Sequence, residues 1–166
     1  MKRIAVLLLS LCFFISGFSQ TETNKAPYER FPEFPPFTLL MSDSSSVMVK
    51  EKLPKKQPVL LILFNPDCEH CQHETEEITK RIEEFSKIQI VMATPVTVPI
   101  MNAFIDKYQL SKYKNIMVGQ DHKMMMPTFF MIRNMPFLAF YNAKKELIET
   151  FSGSMPIDTV LSKFRK

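Results

Sequence analysis

Cysteine is scarce in this sequence, with three residues among 166. Small secreted domains that rely on disulfides for stability are much richer in cysteine, so this is not a disulfide-stapled scaffold. Charge of one sign is also scarce: the net charge is +4, and no basic stripe follows the amino terminus. The composition therefore gives no indication of nucleic acid binding. Its 46% apolar content suits one globular domain of ordinary size.

The amino-terminal residues have the pattern of an export signal. Lys2 and Arg3 precede the apolar run Ile4–Ile15, and Gly17-Phe18-Ser19 supplies a small-x-small site. This pattern predicts a signal peptide over residues 1–19, cleaved after Ser19. The protein is therefore expected to be exported, to the periplasm or another extracytoplasmic space. Removing Lys2 and Arg3 would lower the net charge to +2.

Two other interpretations of this segment are less favoured. An uncleaved anchor would need about 20 apolar residues to cross a bilayer, and this run is shorter. Lipoprotein processing at Cys12 would require a small residue before it, but bulky Leu11 stands there. We therefore expect no integral membrane span in the mature chain.

Cleavage would leave Cys68 and Cys71 as the remaining cysteines. A disulfide between them closes a very short loop, which constrains the unfolded chain little. The pair follows the apolar run Val59–Phe64, typical of a strand buried on both faces, and precedes a helical pattern. A Cys-x-x-Cys sequence between a buried strand and a helix is typical of a redox dithiol.

The helix after Asp67 has a regular apolar face, and its other positions carry charge. The buried face is predicted to hold Cys71, Thr75, Ile78, Ile82 and Phe85, at helical spacing. The acidic residues from Glu74 to Glu84 are interpreted as a solvated face. Ile88–Met92 is predicted to be the next strand, so the chain from Val59 to Met92 should form a βαβ unit with parallel strands.

The remaining elements complete a single domain without repeats. Residues 20–36 are predicted to be an extended leader on the surface, because residues 31–36 are rich in proline. The domain over residues 37–166 should begin with a hairpin, Phe37–Met41 and Val47–Val49. The other predicted elements are a helix over Val98–Leu110, a strand over Asn115–Val118 ended by Gly119, a short helix over Lys123–Met131 interrupted by Pro127, strands over Pro136–Tyr141 and Glu146–Phe151, and a helix over Pro156–Phe164.

This order resembles the thioredoxin fold, specifically the exported TlpA/ResA-like thiol-disulfide oxidoreductases. Two motifs carry the resemblance, which covers roughly residues 37–166: Phe64-Asn65-Pro66-Asp67-Cys68-Glu69-His70-Cys71, and Met135-Pro136 with the hairpin that follows. It implies an α/β fold, a thioredoxin-like three-layer α/β/α sandwich. The central sheet is mixed, with an amino-terminal β-hairpin and a central helix-strand insertion.

The resemblance also implies roles for individual residues. Cys68, at the helix start, would be the attacking thiol, and Cys71 would resolve the mixed disulfide. Pro136 would be the cis-proline facing the dithiol, with Pro127 the runner-up, and the Met135 backbone would bind the substrate. The substrates would be protein thiols or disulfides, served by an unidentified redox partner. No cofactor is implied, and a monomer is expected.

The sequence departs from the family pattern in the residues around the dithiol. Tryptophan is absent, although the family usually has one shortly before the first cysteine. Ile62 stands where a cytoplasmic thioredoxin has a buried acid, so the proton acceptor for Cys71 is left among water, His70 and His73. Glu69 and His70 should tune the redox poise in opposite directions, because a nearby cation stabilises a thiolate and a nearby anion disfavours it. The direction of the reaction, reductant or oxidant, stays open.

Other functions remain as alternatives. Cys68, His70, Cys71 and His73 are all metal-ligand types, so a non-catalytic binding or metal-delivery module is the second hypothesis, although no second cluster completes the set. An inert structural disulfide is a third possibility. A haem attachment site is excluded, because Gln72 replaces the required histidine. The methionine group is interpreted as packing, with copper or peptide binding as the alternative: Met124, Met125, Met126, Met131 and Met135.

Overall fold

The computed structural model of the chain describes residues 25–165, so the predicted signal peptide and Cys12 lie outside the described residues. The helices are α1 (Pro27–Arg30), α2 (Val49–Lys52), α3 (Glu69–Lys80), α4 (Val98–Lys107), α5 (Met125–Phe130) and α6 (Ile157–Ser162). The strands are β1 (Thr38–Leu40), β2 (Ser46–Met48), β3 (Val59–Leu63), β4 (Gln89–Thr94), β5 (Ile116–Gln120), β6 (Phe137–Tyr141) and β7 (Leu147–Ser152). None of the helices formed by residues 25–165 has the length and apolar character needed to cross a membrane.

The strands form one mixed sheet of seven in the order β2-β1-β5-β4-β3-β6-β7. Strand β4 lies parallel to β3 and β5, whereas β6 pairs antiparallel with β3. The predicted βαβ unit and the predicted mixed sheet are therefore confirmed. The inserted strand β5 joins the amino-terminal hairpin to the rest, since β1 pairs antiparallel with it.

Strand β3 is the centre of the structure, because its two faces enter two separate hydrophobic clusters. Leu60 and Ile62 belong to the cluster covered by α3, α4 and α6. Leu61 and Leu63 belong to the cluster covered by α5 and the segment before β1. All five strand residues are buried, as their unbroken apolar run predicts. The three-layer α/β/α arrangement expected from the resemblance is therefore present.

Gly119 does not end the fifth strand, contrary to the prediction, but lies inside it. A Cβ atom at this position would stand 2.6 Å from the Leu39 Cβ atom and 3.1 Å from the Leu40 carbonyl oxygen. The glycine therefore permits the close approach of β1 to β5 rather than breaking the strand.

The boundaries of three helical segments also differ from the sequence prediction. Val49 begins the short helix α2 instead of extending the second hairpin strand. The helix that carries the dithiol ends at Lys80, and the chain continues to Phe85 as a 3-10 turn. Pro127 lies in the first turn of α5 and does not interrupt it, because the first turn needs no N–H from that residue.

The prediction of an extended surface leader is wrong for part of the segment, because Pro27–Arg30 form the helix α1 and Phe34 and Pro35 are buried, whereas residues 31–33 and Pro36 are exposed. The Phe34 side chain is fully buried, with its ring centroid 5.0 Å from that of Tyr141. The backbone is tied as well, since Phe34 N–H donates to Lys145 O at 2.8 Å and Leu147 N–H donates to Pro32 O at 2.7 Å. Prolines prevent a regular inner strand, but they leave alternate backbone groups free to pair with the β6–β7 turn.

Candidate active site

The corner between β3 and α3 places Cys68 at the amino terminus of the helix. Asn65 shapes this corner: its side-chain oxygen accepts a hydrogen bond from Asp67 N–H, and its carbonyl accepts one from Cys68 N–H, both at 3.0 Å. The Gln72 amide then donates to Pro66 O at 2.7 Å and fastens the corner to the helix. Cys68 is the residue that caps α3 and is half-buried, so its thiol is accessible.

Cys71 lies one turn into α3 on the buried face, as the spacing predicted. Burial raises the pKa of the Cys71 thiol to about 12, because a thiolate loses its hydration there. Neighbouring groups add to this effect, since the Cys68 thiol hydrogen-bonds with it and the Glu74 charge repels a second anion. A hydrogen bond from the Asn65 backbone opposes the rise. The two cysteines are free thiols in this structure.

Glu74 was predicted to be a solvated residue, and this prediction is wrong. Its side chain is 3% exposed, at the level of Cys71 and Ile78 on the same helix face. The Oε2 atom accepts a hydrogen bond from Met155 N–H at 2.9 Å, and the buried Oε1 atom has no hydrogen-bond partner among the described residues. Burial raises the pKa of Glu74, although the Met155 hydrogen bond opposes the rise.

The loop before β6 completes the site on the other side of Cys68. The Cys68 thiol donates to Met135 O, with Sγ and O 3.6 Å apart. The Met135–Pro136 peptide bond is cis, whereas Pro127, the runner-up, lies in α5. Pro136 is buried, and its carbonyl accepts a hydrogen bond from Gly153 N–H at 2.7 Å. The structure therefore brings both sequence motifs together at one edge of the sheet.

The remaining predicted site residues lie around this core. Glu69 and His70 are exposed on the first turn of α3, and the His70 carbonyl accepts a hydrogen bond from Ser154 Oγ at 3.0 Å. Ile62 is buried within β3, the strand that leads to the dithiol, so an apolar side chain stands at the position of the buried acid of a cytoplasmic thioredoxin. His73 is exposed and borders a cavity of about 420 Å³ that also reaches Glu74.

The methionine group divides into a buried and an exposed part. Met126 packs in the core against the β3 side of the sheet, as the packing interpretation predicted. Met124, Met125 and Met131 are exposed, so that interpretation is wrong for them. Met135 is half-buried beside Cys68. Within residues 25–165, no three His, Cys, Asp or Glu side chains are grouped so that they could hold a metal ion.

No family model matches the chain, and no curated protein matches it. Several solved structures, however, superpose on most of the chain. A secreted Mycobacterium tuberculosis disulfide oxidoreductase, homologous to E. coli DsbE, is 19% identical and superposes with a TM-score of 0.64 over 77% of this chain and 93% of its own. The exposed lipoprotein thioredoxin Etrx1 of Streptococcus pneumoniae is 20% identical, with a TM-score of 0.61 over 78% of this chain and 97% of its own.

A third similar structure is described as a peroxidoxin rather than as a disulfide oxidoreductase or a thioredoxin, and its TM-score is comparable. The peroxidoxin BcpB of Mycobacterium tuberculosis is 13% identical, with a TM-score of 0.67 over 80% of this chain and 94% of its own. At such identities the likeness establishes a shared fold rather than a shared activity. Together with the seven-stranded mixed sheet and the dithiol at the start of α3, these superpositions show that the chain has the thioredoxin fold.

Proposed function

We infer that the chain is an extracytoplasmic thiol-disulfide oxidoreductase that acts on protein cysteines through Cys68 and Cys71. One observation carries this inference: the half-exposed Cys68 stands at the N-cap position of α3 with its thiol against the Met135 carbonyl, and the buried Cys71 thiol lies one turn behind it. An attacking thiol must reach its substrate, whereas a resolving thiol must be shielded until the mixed disulfide forms. The secreted disulfide oxidoreductase with the same fold gives additional support.

The proposed reduction transfers two electrons from the dithiol to a substrate disulfide. The Cys68 thiolate attacks one substrate sulfur, so that a Cys68–substrate disulfide forms and the substrate S–S bond breaks. The released substrate thiolate takes up a proton. The Cys71 thiolate then attacks Cys68 Sγ, which forms the Cys68–Cys71 disulfide and releases the second substrate thiolate. Oxidation of a substrate dithiol follows the same steps in reverse.

Glu74 is the best-supported proton acceptor for Cys71. The thiol must lose its proton in a buried site that raises its pKa to about 12, so a nearby base is needed. The Glu74 carboxylate interacts with the Cys71 charge, and its buried Oε1 atom has no hydrogen-bond partner within residues 25–165. Burial also raises the pKa of Glu74, which makes it a stronger base than an exposed carboxylate. Glu74 was not among the acceptors that the sequence suggested, which were water, His70 and His73.

The remaining roles follow from placement. The Met135 and Pro136 backbone, beside the Cys68 thiol, would hold an extended substrate segment. Glu69 and His70, exposed on the first turn, would tune the redox poise. The signal peptide over residues 1–19 and the export of the protein belong to the same proposal, and the secreted protein of similar structure supports export.

The test measures whether the dithiol cycles. A purified chain beginning at Gln20 is equilibrated in glutathione buffers of graded redox potential, and free thiols are trapped by alkylation. We expect both thiols to oxidise together at one midpoint, and Cys68→Ser to abolish reduction of a disulfide substrate. A pair that never changes its redox state, or a Cys68→Ser variant with wild-type activity, would contradict the inference.

The same titration fixes the direction of the reaction. A midpoint near that of thioredoxin, about −270 mV, identifies a reductant, and one near that of DsbA, about −120 mV, identifies an oxidant. The alternative function, a metal-delivery module, makes a different prediction: metal would be retained in stoichiometric amount through chelating chromatography, and Cys68→Ser would release it.

A further inference from the structure

The edge of the sheet opposite the dithiol gathers lysines that are scattered along the sequence. Parallel strands β3, β4 and β5 all begin at this edge, and β6 ends there. Exposed cations lie in or next to the connections at this edge: Lys52 at the end of α2, and Lys56, Lys87, Lys114, Lys144 and Arg165 in loops. We call these six residues the basic edge. The sequence contains no basic stripe, so the fold alone creates this surface.

Three surface cavities show which of these cations are neighbours. Lys56, Lys87 and Arg165 line one cavity. Lys144 lines a second one that shares Pro58 and Phe164 with the first. The third, lined by Lys52 and Lys114, includes Gln89 at the start of β4, next to Ile88 of the first cavity. Lys56, Lys87, Lys144 and Arg165 therefore share one surface, and Lys52 and Lys114 line a neighbouring cavity at the same edge of the sheet.

Few anions neutralise this surface. None of the six cations forms an ion pair within residues 25–165. Glu84 is the only carboxylate among the residues that line the three cavities, and Arg81 already binds it with a 2.6 Å contact. A further cation, Lys163, also lines the second cavity but pairs with Glu149. Arg165 interacts with the carboxylates of Glu84 and Asp158 and is partly neutralised by them. The positive charge of the other five cations must be met by solvent ions or by a partner.

We propose that the basic edge binds the surface of an anionic lipid bilayer. The cations come from several separate connections at one edge of the sheet rather than from a single groove. Such a distribution allows several of them to contact a flat surface at the same time. Ile148 and Phe164, which line the second cavity with Lys144 and Lys163, are half-buried and pack against the core, so the proposed contact is electrostatic. Docking in this way leaves the dithiol, at the opposite edge, facing away from the membrane.

The test uses the chain beginning at Gln20, which keeps every described residue and lacks the apolar run Ile4–Ile15. Binding is measured by co-sedimentation with vesicles of phosphatidylcholine alone and with 30% phosphatidylglycerol. We expect binding only to the anionic vesicles at about 50 mM salt and its loss at about 0.5 M, because added salt shortens the screening length. The dithiol plays no part in this assay, so it stands apart from the redox proposal.

Matched charge reversals locate the binding surface. Lys56→Glu with Lys87→Glu removes charge from the basic edge, and Lys123→Glu with Arg133→Glu makes the same net change in the segment between β5 and β6, at the dithiol edge. We expect the first pair to weaken vesicle binding by about tenfold or more, since each cation near an anionic surface contributes appreciably. The second pair should change it by less than about twofold.

Three results would overturn the proposal. One is equal binding to neutral vesicles. Another is equal loss of binding in both variant pairs while circular dichroism shows both folded, which would indicate attraction by net charge alone. The third is tighter binding to a DNA oligonucleotide than to anionic vesicles at the same salt concentration, which would identify the basic edge as a nucleic acid surface.

Discussion

Glu74 at the dithiol edge and the half-buried Lys145 at the opposite edge are both withdrawn from solvent, and they differ in their hydrogen bonding. A second carboxylate at the dithiol edge, Asp121, is fully buried and accepts hydrogen bonds from Met125 and Met126 N–H. At the dithiol edge, Glu74 accepts a hydrogen bond from Met155 N–H, and its second oxygen is buried with no partner in the part of the chain that the structure describes. At the opposite edge, Lys145 Nζ donates to Pro54 O at 2.7 Å and to Gln57 O at 2.6 Å. The Glu74 carboxylate therefore keeps an oxygen that can accept a proton, whereas the Lys145 ammonium is hydrogen-bonded to two carbonyl groups.

The hydrogen bonding of these two residues suggests that the dithiol edge serves the reaction, whereas the opposite edge serves the stability of the fold. A base that must take up a proton cannot have all its lone pairs engaged, so the dithiol edge accepts an unsatisfied group. The opposite edge has no such requirement, and there Lys145 fastens the loop before β3 to the β6–β7 turn. We therefore expect substitutions at the dithiol edge to change rates, and substitutions at the opposite edge to change stability or vesicle binding but not the redox reaction.

The largest effect is expected from Cys71→Ser. Without the resolving thiol, the Cys68–substrate disulfide cannot be released, so turnover should fall roughly a thousandfold and the mixed disulfide should accumulate. Non-reducing electrophoresis and mass spectrometry detect this adduct. The variant Lys56→Glu with Lys87→Glu, at the other edge, should keep wild-type turnover. A Cys71→Ser chain that turns over normally would break the separation between the edges.

The sequence predicted the scaffold of the dithiol edge because local patterns determine it. The unbroken apolar run of β3 and the spacing of Cys71, Thr75 and Ile78 specify a buried strand followed by a helix. Glu74 was missed because it belongs to a run of acidic residues. Its position, three after Cys71 and four before Ile78, nevertheless places it on the buried face, so helical spacing carried the signal.

The opposite edge depends on contacts between distant segments, and the sequence said less about it. The burial of Phe34 requires Tyr141 and Lys145, more than a hundred residues away, and no local period shows this. The basic edge arises because parallel strands begin on the same side of the sheet. Lysines separated by tens of residues then become neighbours, although no segment is basic by itself.

The second-largest effect is expected from Phe34→Ala at the opposite edge. Removing a fully buried aromatic ring should lower the free energy of unfolding by about 3–5 kcal/mol. Chemical denaturation measures the loss, and the dithiol midpoint potential should stay at the wild-type value. Phe31→Ala is the matched control: that ring is 60% exposed, so its removal should change stability by less than about 0.5 kcal/mol. Equal losses in both variants would mean that the leader is not anchored through Phe34.

Glu74→Gln should produce the third effect, at the dithiol edge. The amide can still accept the Met155 hydrogen bond but cannot take a proton from Cys71. We expect release of the mixed disulfide to slow by about a hundredfold, the usual contribution of a positioned base. Rapid-mixing kinetics with acid quench measure this step, and Glu77→Gln, on the same helix and partly exposed, serves as the control. An unchanged release rate would remove Glu74 from the mechanism.

Glu74 also predicts how stability depends on pH. Burial raises the pKa of Glu74 in the folded chain, so the folded chain holds this proton more tightly than the unfolded chain does. The stabilisation is complete below the unfolded pKa, near 4.5, and is lost as the pH rises through the folded pKa. Denaturation midpoints of the wild type should therefore fall more steeply with rising pH, from about pH 4 upwards, than those of Glu74→Gln. Parallel profiles for the two chains would contradict this assignment.

The smallest effect is expected from Lys145→Met, which tests whether the satisfied charge serves stability alone. Without the ammonium, the Pro54 and Gln57 carbonyls lose their donor, and the free energy of unfolding should fall by about 1–3 kcal/mol. Lys144→Met is the matched control, because that side chain is exposed and should contribute less than about 0.5 kcal/mol. The midpoint potential and the release rate should stay unchanged in both variants. If Lys145→Met shifted either redox property, the two edges would be coupled, and β3, which begins beside Gln57 and ends at the dithiol corner, would be the element that couples them.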